Sequence, residues 1–174
     1  MKTIFLFVFF IISSQLMASD TICYDEKNAF VFESGKQWQL DAKAADKMGL
    51  CAIYTLKDYS FDDSPAIIYP RLITTNESLK DMIDKDKIDY QKKSITAFIL
   101  KHKKFKSKKN KLDFEVLSFN NGASPNEYEY VFYHKAKNAI LLLVLSVRNQ
   151  QDLKKYFNDL EKFAAKVKSI KIKK

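Results

Sequence analysis

Nine consecutive residues, Ala139–Val147, read Ala-Ile-Leu-Leu-Leu-Val-Leu-Ser-Val, with Ser146 as the one polar side chain among them. A helix that crosses a bilayer needs ~20 apolar residues, so this run is strand-sized. A strand with one buried face alternates apolar and polar; a strand apolar at almost every position must be covered on both faces. The chain therefore has to set this segment inside a sheet and lay apolar cover above and below it. It has the material: 47% of its 174 residues are hydrophobic, with 14 Phe and 9 Tyr, which excludes intrinsic disorder. Three glycines leave nothing for a collagen repeat or a glycine-rich phosphate cradle. The length suits one domain of ~150 residues, and no internal repeat or interdomain linker divides it.

The first segment has a different use. Met1-Lys2 precedes the apolar run Ile4-Phe-Leu-Phe-Val-Phe-Phe-Ile-Ile12, and a more polar stretch ends Leu16-Met-Ala-Ser-Asp20. A cationic start, a short apolar stretch and a small residue before a polar start form the secretory pattern, so residues 1–18 are expected to be a signal peptide and 19–174 the folded domain. The alternative, a membrane anchor, needs a run about twice as long. Asp20-Thr-Ile-Cys23 lacks the small or aliphatic residues that precede a lipidated cysteine. The expected location is therefore periplasmic or secreted, in soluble form. In an oxidising compartment the only two cysteines, Cys23 and Cys51, are most simply a disulfide, and otherwise two buried thiols.

Along the domain, Asn28–Glu33 is a short aromatic strand closed by Ser34-Gly35. Leu40, Ala44, Ala45 and Met48 fall at helical spacing, which predicts a helix over 38–48 with Gly49 as its C-cap. Strands follow over 50–56 and 66–73, the second carrying Pro70, which has no N–H for a ladder and implies an edge or a bulge. Thr74-Thr-Asn-Glu77 has the form of a capping box, and Leu79, Met82, Ile83 and Tyr90 mark one face of a helix over 77–93. Strands over 95–100 and 112–119 flank a cationic hairpin, and 120–125 is a turn cluster. The strand over 127–133 alternates charged and aromatic residues, as half-exposed strands do, and pairs with Ala139–Val147 across Lys137-Asn138. From Leu153 to Ile170 apolar residues recur at three and four, the strongest helix pattern in the chain, with Asn149 as N-cap. The fold class is α+β: a mostly antiparallel sheet of about six strands covered by one short and two long helices.

This order of elements, together with Ser64-Pro-Ala-Ile-Ile-Tyr69, resembles the Mog1/PsbP-like fold, especially its small exported bacterial members. Members of that fold act as binding or accessory proteins, so the resemblance implies non-enzymatic binding and supplies no catalytic residues.

The chemistry-bearing residues are few. His102 sits among lysines and His134 at a strand end, with no nucleophile and orienting carboxylate nearby in sequence. Asp58, Asp62 and Asp63 share a loop but lack the glycine and distal glutamate of an EF-hand. Asn76-Glu-Ser78 fits a glycosylation sequon where a helix cap already explains it. No metal and no cofactor is expected.

Charge carries more. The formal net charge is +9, and residues 85–111 hold eleven lysines against two aspartates. Seven of those lysines, Lys101, Lys103, Lys104, Lys106, Lys108, Lys109 and Lys111, lie in the hairpin and are expected to project as one finger. Such a concentration can meet lipid headgroups, lipopolysaccharide phosphates, an acidic protein or nucleic acid, or keep a strand edge soluble. With only Arg71 and Arg148 for guanidinium groups, bidentate phosphate recognition is disfavoured, and no specific nucleic acid is expected. The expected function is an exported, non-catalytic accessory protein of the cell envelope. Its hairpin would contact a protein or an anionic envelope component, with peripheral contact at a membrane surface. The alternatives are a small secreted hydrolase whose site is assembled only in space, and a toxin-neutralising interaction protein.

Overall fold

The computed structural model describes residues 20–94, 97–102, 104–120 and 128–172. The segment expected to be a signal peptide, the turn cluster after Asn120 and Lys103 lie outside them. The fully apolar run forms β10 (Ala139–Val147), and all nine of its residues are buried. It lies within an eight-stranded antiparallel sheet, between β5 (Ala66–Thr74) and β9 (Tyr128–Ala136). Strand order is β3 (Trp38–Leu40), β4 (Tyr54–Leu56), β5, β10, β9, β8 (Asp113–Asn120), β6 (Phe98–Lys101), with β7 (Phe105–Lys106) also on β8. A second sheet holds β1 (Asp20–Tyr24), β2 (Asn28–Glu33) and β11 (Lys168–Lys171) in the order β1-β2-β11.

The two faces of β10 have different covers. Leu141, Leu143, Leu145 and Val147 share a core with Leu153, Tyr156, Leu160, Phe163 and Ala164 of α3 (Gln150–Lys166), and with Phe30 and Phe32 of the small sheet. Ile140, Leu142 and Val144 face Met82, Ile83 and Tyr90 of α2 (Leu79–Lys93). Beside them, α1 (Ala42–Met48) packs Ala44 and Ala45 on Ile53, Phe61 and Tyr69. Each fully buried leucine of β10 contributes roughly 1.5–3 kcal/mol by leaving water. No helix among the described residues is long and apolar enough to cross a membrane.

Among the described residues the α+β class and three helices agree with the sequence reading, and eleven strands stand where about six were expected. Seven of the eleven overlap the segments read as strands above; the other four, β1, β3, β7 and β11, have two to five residues each, too few for alternation to stand out. Trp38–Leu40 is strand, and α1 begins after Asp41, whose Oδ1 accepts from the Ala44 N–H at 2.9 Å. Gly49 ends α1 in the left-handed region, φ 63°, as a C-cap glycine does. The cap of α2 is Ser78, whose Oγ accepts from the Asp81 N–H at 3.1 Å, while Thr74 closes β5 instead. The α3 helix stops at Lys166 because the chain becomes extended at Val167 and pairs with β2; Ile170 is on a strand.

Pro70 sits where its missing donor costs little. The β4 pairing with β5 reaches only Ile67 and Ile68, so beyond it no strand among the described residues pairs with β5 on that side. Cys23 and Cys51 are bonded, with Cα atoms 5.4 Å apart, and the bridge ties β1 to the loop between α1 and β4.

Candidate functional site

The lysine segment is a hairpin, but it lies along the molecule instead of projecting. Its aromatic and polar residues hold it down. His102 donates its backbone N–H to the Val116 carbonyl at 2.8 Å, and its ring packs on Tyr130 and Phe157. Phe105 packs on Phe114 and Phe132. Ser107, 1% exposed, donates its hydroxyl to the Ala165 carbonyl at 3.1 Å, and Asn110 Nδ2 donates to the Ala165 and Val167 carbonyls at 3.2 and 2.6 Å. Those carbonyls end α3, where the last turn lacks intrahelical donors.

This seating sorts the lysines into two groups. Lys101 and Lys104 lie 3.6 and 2.6 Å from the Glu115 carboxylate, and Lys106 lies 3.5 Å from Asp113. Hydrogen bonding from Lys104 leads the lowering of the Glu115 pKa below the ordinary carboxylate range. Lys108, Lys109 and Lys111 have no ion pair among the described residues. Their turn is instead brought beside Lys166 and Lys168 at the end of α3, and Lys109, Lys166 and Lys168 all act on Glu33. The Glu33 pKa is lowered, first by its hydrogen bond from Lys168. On α2, by contrast, Lys80 and Lys87 pair with Asp84, Lys85 with Glu77 and Lys92 with Asp89, so much of that charge is neutralised locally.

A second candidate site lies on the opposite face of the large sheet, where the cover of α1 gives way to that of α2. It is a cavity of about 580 Å³ beside the stretch of β5 that β4 does not reach. Ile53, Phe61, Ile67 and Leu50 give it apolar walls, the Cys23–Cys51 bridge closes one side, and Met48, Gly49 and Arg71 line it too. Two of its polar groups share a row of the sheet, Ser146 of β10 pairing across with Glu129 of β9, and Tyr69 of β5 comes from the row two residues along, opposite Val144. The hydroxyl of Tyr69 donates to Glu129 Oε1 at 3.5 Å. Ser146, 2% exposed, has an enclosed Oγ with no hydrogen bond of normal geometry, though its nearness to the carboxyl partly offsets the effect of burial. Burial is the largest cause of the raised Glu129 pKa, and burial likewise pushes the Tyr69 phenol up.

The sequence reading did not single out Glu129, Tyr69 or Ser146, although two signals were present. Glu129 shares its side of β9 with Val131 and Tyr133, which makes it a carboxyl on an apolar stripe and not one on an open face. Ser146 is the polar interruption of the buried run.

The histidines are elsewhere. His134 packs on Phe30 and Phe114, with Nδ1 2.9 Å from the Asp113 carbonyl. His102 Nε2 lies 3.0 Å from Ser118 Oγ, and burial lowers its pKa. Ser118 also accepts from Asn120 Nδ2 at 3.2 Å, but it is 2% exposed and does not line the cavity beside β5. Neither His102 nor His134 lines the cavity beside β5. No group of three or more His, Cys, Asp or Glu there could share a metal ion.

Fold and sites together define an α+β protein with an antiparallel sheet covered on both faces, one cationic end and one mixed-polarity cavity. No family model matches the chain, and no curated protein matches it by sequence. Among solved structures it is similar to the solution structure of cyanobacterial PsbP (CyanoP) from Synechocystis sp. PCC 6803. The identity is 11%, the TM-score 0.49, and the match covers 88% of this chain and 94% of that one.

Proposed function

We propose that this protein is an exported, non-catalytic accessory domain that docks on an anionic component of the cell envelope through its lysine-bearing end. The observation that carries the proposal is the seating of Ser107 and Asn110 on the last carbonyls of α3. It gathers Lys108, Lys109 and Lys111 beside Lys166 and Lys168, with Glu33 as the acid on which this group acts. Lysines drawn from two distant stretches of chain onto one surface raise the local potential more than a run that its own acids neutralise. Ammonium groups on flexible stems suit diffuse attraction to phosphate or carboxylate surfaces. The Cys23–Cys51 bridge and the leader-like first segment fit export.

The test is binding to vesicles containing phosphatidylglycerol at about 50 and 200 mM salt, where screening weakens exposed contacts. Retention should fall with salt, and should fall further when Lys108, Lys109, Lys111 and Lys166 are changed to Gln. Equal retention by that variant at low salt removes the lysine end from the account.

A further inference from the structure

The cavity over β5 lies on the other face of the sheet from the α3 core, and docking through the lysine end makes no use of it. Its volume of about 580 Å³ falls within the ~300–1,000 Å³ of small-molecule sites, and its composition follows the same pattern of apolar walls with a few convergent polar groups. The chemistry of those groups narrows the ligand.

Glu129 accepts from Tyr69, and Ser146 stands directly across from it. A carboxylate and two hydroxyls leave several oxygen lone pairs and few free hydrogens, since the Tyr69 hydrogen is already directed at the carboxyl. A ligand carbonyl would compete with Glu129 for that hydrogen, and a ligand carboxylate on the same floor would meet a like charge once Glu129 ionises; the guanidinium of the lining, Arg71, is exposed and stands outside this buried group. A group with several N–H donors and a positive charge satisfies the oxygens and supplies the counter-charge the buried carboxyl lacks. No ion pair to Glu129 forms among the described residues; Lys93 acts on it only through its field. Around the polar floor, Ile53, Phe61, Ile67 and Leu50 offer a surface suited to a flat or branched hydrocarbon body.

We propose that this cavity binds a compact apolar molecule carrying one amine, with the ammonium seated on Glu129, Tyr69 and Ser146 and the body against Phe61 and Ile67. Three probes of similar shape test it by calorimetry on the full chain: tryptamine, its neutral alcohol analogue tryptophol, and the anion indole-3-propionate. Tryptamine should bind at least about tenfold more tightly than tryptophol, with no saturation by the anion. Glu129→Gln should bring tryptamine to the level of tryptophol, and Met48→Trp at the exposed rim should weaken both. If Glu129→Gln fails to give the native circular dichroism, Tyr69→Phe with Ser146→Ala takes its place and should reduce the preference for the amine. Equal binding of the three probes, absence of tryptamine binding, or an amine preference that survives these changes overturns the proposal. Vesicle retention reads the lysine end separately, so either result stands without the other.

Discussion

Tyr133 donates its hydroxyl hydrogen to Oδ2 of Asp86 at 2.8 Å, joining a fully buried residue of β9 to a half-buried carboxyl of α2. Burial is the main cause that raises the Asp86 pKa, and the Tyr133 bond is the first influence that opposes it. Tyr133→Phe removes that donor while keeping the ring. At pH 7 the loss should cost about 1.5–3 kcal/mol, the range for a hydrogen bond to a charged group. Near pH 3, below the ordinary aspartate value of 3.8, Asp86 is protonated and the cost should shrink toward ~1 kcal/mol. Urea denaturation at both values measures the difference. A cost that is larger in acid would show that the bond does not favour the charged carboxyl.

Glu129 makes a second pH-dependent contribution. Facing it are Tyr69 of β5, Ser146 of β10 and, on α2, Asp86 and Lys93, whose opposing fields act with burial to leave the pKa raised. A carboxyl with a raised pKa in the folded state favours folding most when protonated. Its contribution is therefore complete below the ordinary value of 4.5 and is lost as pH rises through the higher folded-state value. Asp25, Glu33 and Glu115 shift downward and act in the opposite sense at lower pH, so the total curve mixes both signs. Comparison with Glu129→Gln isolates one group. The melting temperature of the variant should gain on that of the unaltered protein between about pH 4.5 and 8. A gap that stays constant across that range contradicts a raised pKa at Glu129.

Long apolar patterns were the legible part of the fold. Ala139–Val147 required two-sided cover, and α3 and α2 provide it; Gly49 and Asn149 cap helices where their chemistry predicts. Trp38–Leu40 and Lys168–Lys171 were illegible because each is a short strand next to a helix and continues that helix's apolar spacing by coincidence. Only pairing with Leu56 or Val31 decides them, and pairing is non-local. The seven lysines were visible as charge. Their division into paired and unpaired groups was not, since it depends on Ser107 and Asn110 meeting carbonyls more than fifty residues away. The cavity was hidden for the same reason: Tyr69, Glu129 and Ser146 come from three strands that only the sheet register aligns.

The Cys23–Cys51 bridge closes a separation of 28 residues and fastens β1, an outer strand of the small sheet, to the loop after α1. On the chain-entropy account such a loop is worth about 3–4 kcal/mol. Replacing both cysteines by serine should lower the free energy of unfolding by about that amount in urea. Because the bridge also walls the cavity, exchange of the Arg71 and Leu72 amides should accelerate in the same variant. Unchanged stability would place the bridge outside the cooperative fold.

Asn110 offers the most direct handle on the lysine end. Its side-chain amide donates to two carbonyls of the α3 terminus, and its backbone N–H donates to Ser107 Oγ at 3.3 Å, in a turn where Lys111 holds φ 56°. Asn110→Ala removes the two side-chain bonds and leaves the lysines in place, while the Ala165 carbonyl keeps its bond from Ser107. The global cost should be modest, about 1–2 kcal/mol. The local effect should be larger: the Lys111 N–H, bonded to the Ser107 carbonyl at 2.9 Å, should exchange many times faster while amides of β10 are unaffected. Vesicle retention at low salt should change by less than about twofold, because screened attraction acts over ~10 Å and does not require one fixed arrangement of ammonium groups. Loss of retention comparable to that of the lysine variant would instead mean that the partner reads the geometry of the turn and not merely its charge.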